Sequence, residues 1–157
     1  MLGSSLLPFA KMPDALDAHA SRSAAMPPDE AIVMPVLAAL PQAMAIYAFG
    51  SRVKGDHRPD SDLDLAILVP GYADPLELWA LAGDLSAAID LDVALLDLRR
   101  ATTVMQYQVL TEGRRLWGRE PDAGRFECFV MSEKLDFDRA RAGLLADIRR
   151  EGRVYGR

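Results

Sequence analysis

The sequence predicts an α/β domain: a small mixed β-sheet with helices packed on one face and a further helix at the C-terminus. Two observations predict it. Apolar runs of strand length alternate with segments whose apolar residues recur at helical spacing, and the strand–helix–strand order calls for a sheet covered by helices. At 157 residues, 50% apolar and 26% charged, the chain suits one domain with a real core.

Residues 1–28 are rich in Ala, Ser, Pro and Met and hold no sustained period, so they are expected to form a flexible extension, leaving 29–157 as the domain. A secretory reading is weak, because a basic n-region is missing and Pro8 breaks the apolar patch Leu6–Ala10. Pro27 and Pro28 lead into a helix over 29–40, with Asp29 and Glu30 at the positive end of its dipole and Ile32, Val33, Val36, Leu37 and Leu40 on one face. AMAIYAF, residues 43–49, lies between Pro41 and Gly50 and reads as a buried strand. Residues 51–61 are polar and carry Gly55 and Pro59, which makes them a loop with room for one helical turn at its start. DLDLAILV, residues 62–69, is a second strand, ended by Pro70-Gly71. Asp74 is a suitable N-cap for a helix over 75–88, a third strand covers 91–98, and a helix over 102–111 stops near Gly113. Residues 125–150 form the last helix, with Phe126, Phe129, Val130, Phe137, Ala140, Leu144 and Ile148 near one stripe. That stripe either packs on its own domain or serves in part as a partner surface.

Composition narrows the function. With 18 basic against 23 acidic residues, net charge −5, a broad electropositive face for nucleic acid is not expected, although a single nucleotide needs only a local site. Every apolar stretch is interrupted before eighteen residues, which excludes a membrane-spanning helix. Cys128 is the single cysteine, so no disulfide forms within the chain, and a free thiol suits a reducing cytoplasm. Cys128 is expected to pack; with two histidines it cannot build a zinc site.

The informative segment is Gly50-Ser51, ten residues, then Asp62-Leu63-Asp64. Strand side chains alternate faces, so Asp62 and Asp64 point one way while Leu63, Leu65 and Ile67 point the other. Two carboxylates in one small volume raise each other's pKa unless a cation neutralises them, and a hard divalent ion such as Mg²⁺ binds carboxylate and phosphate oxygens together. Gly50-Ser51 ends the preceding strand, where a residue without Cβ lets backbone approach a ligand and N–H groups can meet a phosphate. Ser51 adds a hydroxyl, and Arg52 and Lys54 add positive charge beside the same turn. A Gly-Ser pair alone means little, and Asp-x-Asp at a strand start is often just two solvated carboxylates. The combination describes a site for a nucleoside triphosphate with Mg²⁺, suited to nucleotidyl transfer.

GSRVKGDHRPDSDLDLAILV resembles the motif of the minimal nucleotidyltransferases of the polymerase-β superfamily, Gly-Ser followed by ten residues and Asp-x-Asp. DVALLDLRRATTVMQYQVLTEGRRLW is similar to the second half of that domain and LDFDRARAGLLADIRREGRVYG to its C-terminal helix, so residues 29–156 are covered. Within the superfamily the chain looks most like the antitoxins that pair with a HEPN-type ribonuclease toxin. The resemblance implies a nucleotidyltransferase fold and a protein adenylyltransferase that uses ATP and Mg²⁺ to place AMP on a tyrosine of the toxin, in a hetero-oligomer with it. By position, Gly50, Ser51 and Arg52 would bind the nucleotide and Asp62 and Asp64 the metal.

The sequence departs from the family at the third carboxylate. Aligning VALLDLRRA without a gap puts Ala94 where the family has an Asp, and alanine can neither bind metal nor accept a proton. Asp90 and Asp92 share the face of Ala94, each two residues displaced by about 7 Å along the strand, so Asp92 is the candidate third metal ligand and catalytic carboxylate. Asp97 falls on the opposite face and is expected to be structural or at the surface. His57 is expected to be exposed, Arg99 and Arg100 a solvated pair, Tyr47 packed within its strand, and Tyr107 and Trp117 core or half-buried. Two rival functions remain: a disabled antitoxin that neutralises its partner by covering it, and an enzyme that modifies a small molecule. The short stretch after Asp122 leaves the latter little room for a substrate-binding domain.

Overall fold

The computed structural model describes residues 26–56, 58 and 60–155. The expected extension therefore falls almost wholly outside the described residues, as does His57, while Met26 packs against the core. The elements run α1 (Asp29–Ala39), β1 (Ala45–Phe49), α2 (Ser51–Lys54), β2 (Leu63–Leu68), α3 (Pro75–Ile89), β3 (Val93–Asp97), a 3₁₀ turn (Leu98–Arg100), α4 (Thr103–Glu112), β4 (Arg114–Gly118) and α5 (Asp122–Tyr155).

The sheet is mixed, in the order β3-β2-β1-β4. β1 runs antiparallel to β2 and to β4, and β2 runs parallel to β3. A parallel pair needs a crossover, which α3 supplies. Asp74 caps α3 by accepting from Leu76 N at 2.9 Å, as expected, and Thr102 caps α4 through Met105 N. β4 had no counterpart among the expected strands. It opens with two exposed arginines, is five residues long and lies at the sheet edge, so it lacks the apolar alternation that marks a strand in sequence.

Helices cover both faces of the sheet, which corrects the one-face expectation. Ile46, Ala48, Leu63, Leu65 and Ile67 pack with Ile32, Val33 and Val36 of α1 and with Leu78, Leu81 and Leu85 of α3. On the other face Ala45, Tyr47, Ala66 and Leu68 pack with Leu98, Val109 of α4, and Ala123, Phe126 and Val130 of α5. The reason lies in the strands: AIYAF and LAIL are apolar at both parities, and a strand without a polar face must be covered twice. Tyr47 packs as expected and also donates its hydroxyl to Glu127 of α5 at 2.7 Å, tying helix to sheet. Burial, then the Glu127 carboxylate, pushes the Tyr47 phenol well above its ordinary value.

Candidate active site

β1 ends at Phe49 and the chain turns sharply at Gly50, with φ 80° and ψ −163°, before the single helical turn α2 begins at Ser51. This bend lies directly over β2: a Cβ on Gly50 would overlap the Asp64 carboxylate. Asp64 sits between Phe49 of β1 and Ala94 of β3 in the register. Only glycine allows both the backbone conformation and this approach, which places the Gly-Ser bend and a carboxylate in contact.

Asp62 precedes the strand, exposed, and Asp64 is half-buried. The Asp64 carboxyl is held above its ordinary value, first by burial and then by the neighbouring Asp62 charge. The two carboxylates thus share one electrostatic environment, as the strand alternation requires. Such a pair suits Mg²⁺, which takes one or two protein carboxylates and fills its remaining positions with phosphate oxygens and water. Among the described residues no group of three His, Cys, Asp or Glu could hold a metal, so Asp62, Asp64 and Asp92 do not form a closed set.

Arg52 points inward. It is 6% exposed, and its Nε donates to the Ser61 carbonyl at 2.8 Å, next to Asp62. Ser61 is itself held by Arg58, whose N–H donates to Ser61 Oγ at 2.8 Å and whose carbonyl accepts from Ser61 N at 3.0 Å. Arg52 therefore links the bend that follows β1 to the loop that presents the carboxylates. Lys54, the other cation beside the turn, pairs with Glu112 at the end of α4 at 2.6 Å. Gly113 contributes in a way the sequence reading missed, having marked it only as a helix stop. A Cβ there would run into the carbonyls of Val109 and Ala48, so its absence lets the end of α4 press on the last residues of β1 beside Gly50.

No carboxylate stands beside Asp64 at the position where the ungapped alignment put Ala94. Ala94 is the register partner of Asp64. Asp92 is exposed, lies just before β3, and accepts the Leu63 N–H with its backbone carbonyl at 2.8 Å. Asp97 is structural: buried, it accepts from Ala73 N at 2.9 Å and Arg99 N at 3.1 Å. Arg99 and Arg100 follow the far end of β3, remote from residues 62–64 in a parallel pair. There Arg99, half-buried rather than solvated, lies 5.4 Å over the Phe126 ring, while Arg100, exposed as expected, lies 4.6 Å over Tyr72. Tyr107 and Trp117 are half-buried at the core edges, whereas Cys128 is exposed rather than packed, because it lies off the buried face of α5.

A four-stranded mixed sheet carrying a Gly-Ser bend against an Asp-x-Asp strand defines a nucleotidyltransferase domain, and the comparisons agree. Residues 33–122 match the family model described as "Polymerase beta, Nucleotidyltransferase". The chain is 37% identical over 109 residues to the protein adenylyltransferase MntA of Shewanella oneidensis, spanning 69% of this chain and 78% of MntA. Among solved structures, a toxin–antitoxin with AMP-PNP aligns with TM-score 0.67 and 34% identity over 77% of this chain and 98% of that one. The MNT antitoxin in complex with a tri-AMPylated S. oneidensis HEPN toxin aligns with TM-score 0.62 and 32% identity, over 77% and 95%. The chain belongs to the polymerase-β nucleotidyltransferase family, among its MntA-like members.

Proposed function

We propose that this protein is the antitoxin of a toxin–antitoxin pair and transfers AMP from ATP to a tyrosine hydroxyl of a HEPN-type ribonuclease toxin in the cytoplasm. The observation that carries the reading is the contact between the Gly50 bend and the Asp64 carboxylate, with the Asp62 charge beside it. The likeness to MntA and to toxin–antitoxin structures supports the choice of acceptor.

Gly50 lets the Asp64 carboxylate close directly against the bend, and the Ser51 hydroxyl and backbone offer donors to triphosphate oxygens. Arg52 keeps bend and carboxylate loop in register. Asp62 and Asp64 would hold Mg²⁺, with Asp92 as the proposed third ligand. When bound, the ion neutralises phosphate charge and eases departure of pyrophosphate. The tyrosine oxygen forms a bond to the α-phosphorus as the bond to the pyrophosphate oxygen breaks, and its proton passes to Asp92 or to water. No covalent intermediate with the protein is needed.

One observation favours a second reading: with Ala94 beside Asp64, the site lacks a carboxylate at that register position, and an antitoxin of low turnover would neutralise its partner by binding. Incubation of the purified protein with ATP, Mg²⁺ and the product of the adjacent gene, followed by mass spectrometry of the product's tyrosines, separates the two. AMP on tyrosine, lost in Asp62→Ala/Asp64→Ala, supports transfer. A tight complex whose tyrosines stay unmodified supports the binding reading instead.

A further inference from the structure

The C-terminal helix α5 is packed at one end and bare at the other. Ala123, Phe126 and Val130 are buried in the second core cluster, and Lys134 lies 5.2 Å over the Tyr107 ring. Residues 135–152 are all exposed, a length of about 27 Å at 1.5 Å per residue. Phe137, Leu144 and Ile148 follow Phe126 and Val130 at steps of seven, fourteen and eighteen residues from Val130, which keeps them on the same helical stripe. They are 48%, 61% and 54% exposed. The buried face of α5 thus continues past the domain as an apolar seam with nothing of this chain against it among the described residues.

We propose that this seam is the docking surface for the protein that receives AMP, engaged as a helix laid in an apolar groove; the inference rests on the transfer reading above. Two observations select that occupant. First, Asp64 shares its face of β2 with Ala66 and Leu68, whose side chains join the cluster of Phe126 and Val130. The root of α5 and the carboxylates therefore lie on one side of the sheet, and a protein seated along α5 approaches from the side the acceptor hydroxyl must use. Second, a strip about 27 Å long and about 11 Å wide offers roughly 300 Å² in projection, well short of the roughly 800 Å² per partner of a stable interface. Two copies pairing through this strip alone fall short of that size, whereas a substrate that rests on the helix and also reaches the catalytic face gains the remainder there. Charge points to neither nucleic acid nor an anionic membrane: residues 135–152 hold four acidic and four basic side chains.

The test compares wild type with Leu144→Asp/Ile148→Asp on the stripe and Ala146→Asp on the opposite face of the helix, all at exposed positions. Affinity for the purified adjacent-gene product is measured by calorimetry, binding of a non-hydrolysable ATP analogue with Mg²⁺ reports the nucleotide site, and light scattering reports the oligomeric state of the chain alone. The double variant is expected to lose about 100-fold or more in partner affinity, with nucleotide binding and oligomeric state unchanged and Ala146→Asp binding like wild type. Partner affinity within threefold of wild type in the double variant overturns the docking assignment alone. So does an equal loss in Ala146→Asp, or a wild-type dimer that the double variant dissolves, which assigns the seam to a second copy. A wild type that binds nucleotide yet fails to bind the partner overturns the acceptor reading and this inference with it.

Discussion

Gly50→Ala probes the contact on which the site depends. At φ 80° and ψ −163° Gly50 occupies a region essentially closed to residues with a Cβ, and holding alanine there costs about 1–3 kcal/mol. The added methyl also overlaps the Asp64 carboxylate, and forcing a group into filled space costs a further ~1–3 kcal/mol where neighbours cannot yield. The Asp64 backbone is fixed by β1 on one side and β3 on the other, so only its side chain can turn away. A combined cost of about 4 kcal/mol, against a typical stability of about 5–15 kcal/mol, lowers Tm by roughly 8–16 °C in a domain of this size. Removing the carboxylate relieves the overlap and leaves the backbone strain. In thermal and urea unfolding of wild type, Gly50→Ala, Asp64→Ala and the double variant, the cycle is expected to show a coupling of about 1–3 kcal/mol. A Gly50→Ala protein melting within about 2 °C of wild type, or a cost unchanged by deleting Asp64, would refute the close approach.

Three further outcomes follow from the same geometry. A folded-state carboxyl pKa above the unfolded value of 3.8 means that stability falls as pH rises through the raised value and stays low at neutral pH, so Asp64 costs the metal-free fold stability there. Asp64→Asn should melt above wild type at pH 7 in EDTA, with the gap closing below pH 3.8; an Asn variant no more stable at pH 7 contradicts the burial argument. Arg52→Lys keeps the charge but loses the Nε bond to Ser61, and should raise the Mg²⁺ concentration needed for half-maximal transfer by about tenfold or more, the usual cost of disturbing groups behind metal ligands. An unchanged Mg²⁺ requirement would remove Arg52 from that role. Asp92→Ala should abolish most transfer and Ala94→Asp should raise it; full activity in Asp92→Ala would leave the metal to Asp62 and Asp64 alone.

Local patterns carried the central strands and the bend between them. Apolar runs bounded by Pro and Gly marked β1 and β2 almost to the residue, and the alternation of Asp62-Leu63-Asp64 gave the shared direction of the carboxylates before any coordinates. The ungapped alignment also put Ala94 beside Asp64, because both strands are regular and parallel there. What escaped depends on contacts between distant segments. β4 is a strand only because β1 offers it an edge, and its arginines hide it from any periodic test. The inward turn of Arg52 and the close approach at Gly113 are settled by residues 9 and 65 positions away, Ser61 and Ala48. The helices on both faces were legible in the two-sided apolarity of β1 and β2, and the one-face expectation gave that feature too little weight.

A metal–triphosphate site formed by the Gly50-Ser51 bend with Asp62 and Asp64 underlies the proposed transfer. Calorimetric titration of a non-hydrolysable ATP analogue, with Mg²⁺ and with EDTA, into wild type and Asp62→Ala/Asp64→Ala measures that directly. Saturable binding that needs Mg²⁺ and vanishes in the double variant is the predicted result; binding that persists in EDTA at the same affinity, or survives loss of both carboxylates, would contradict it.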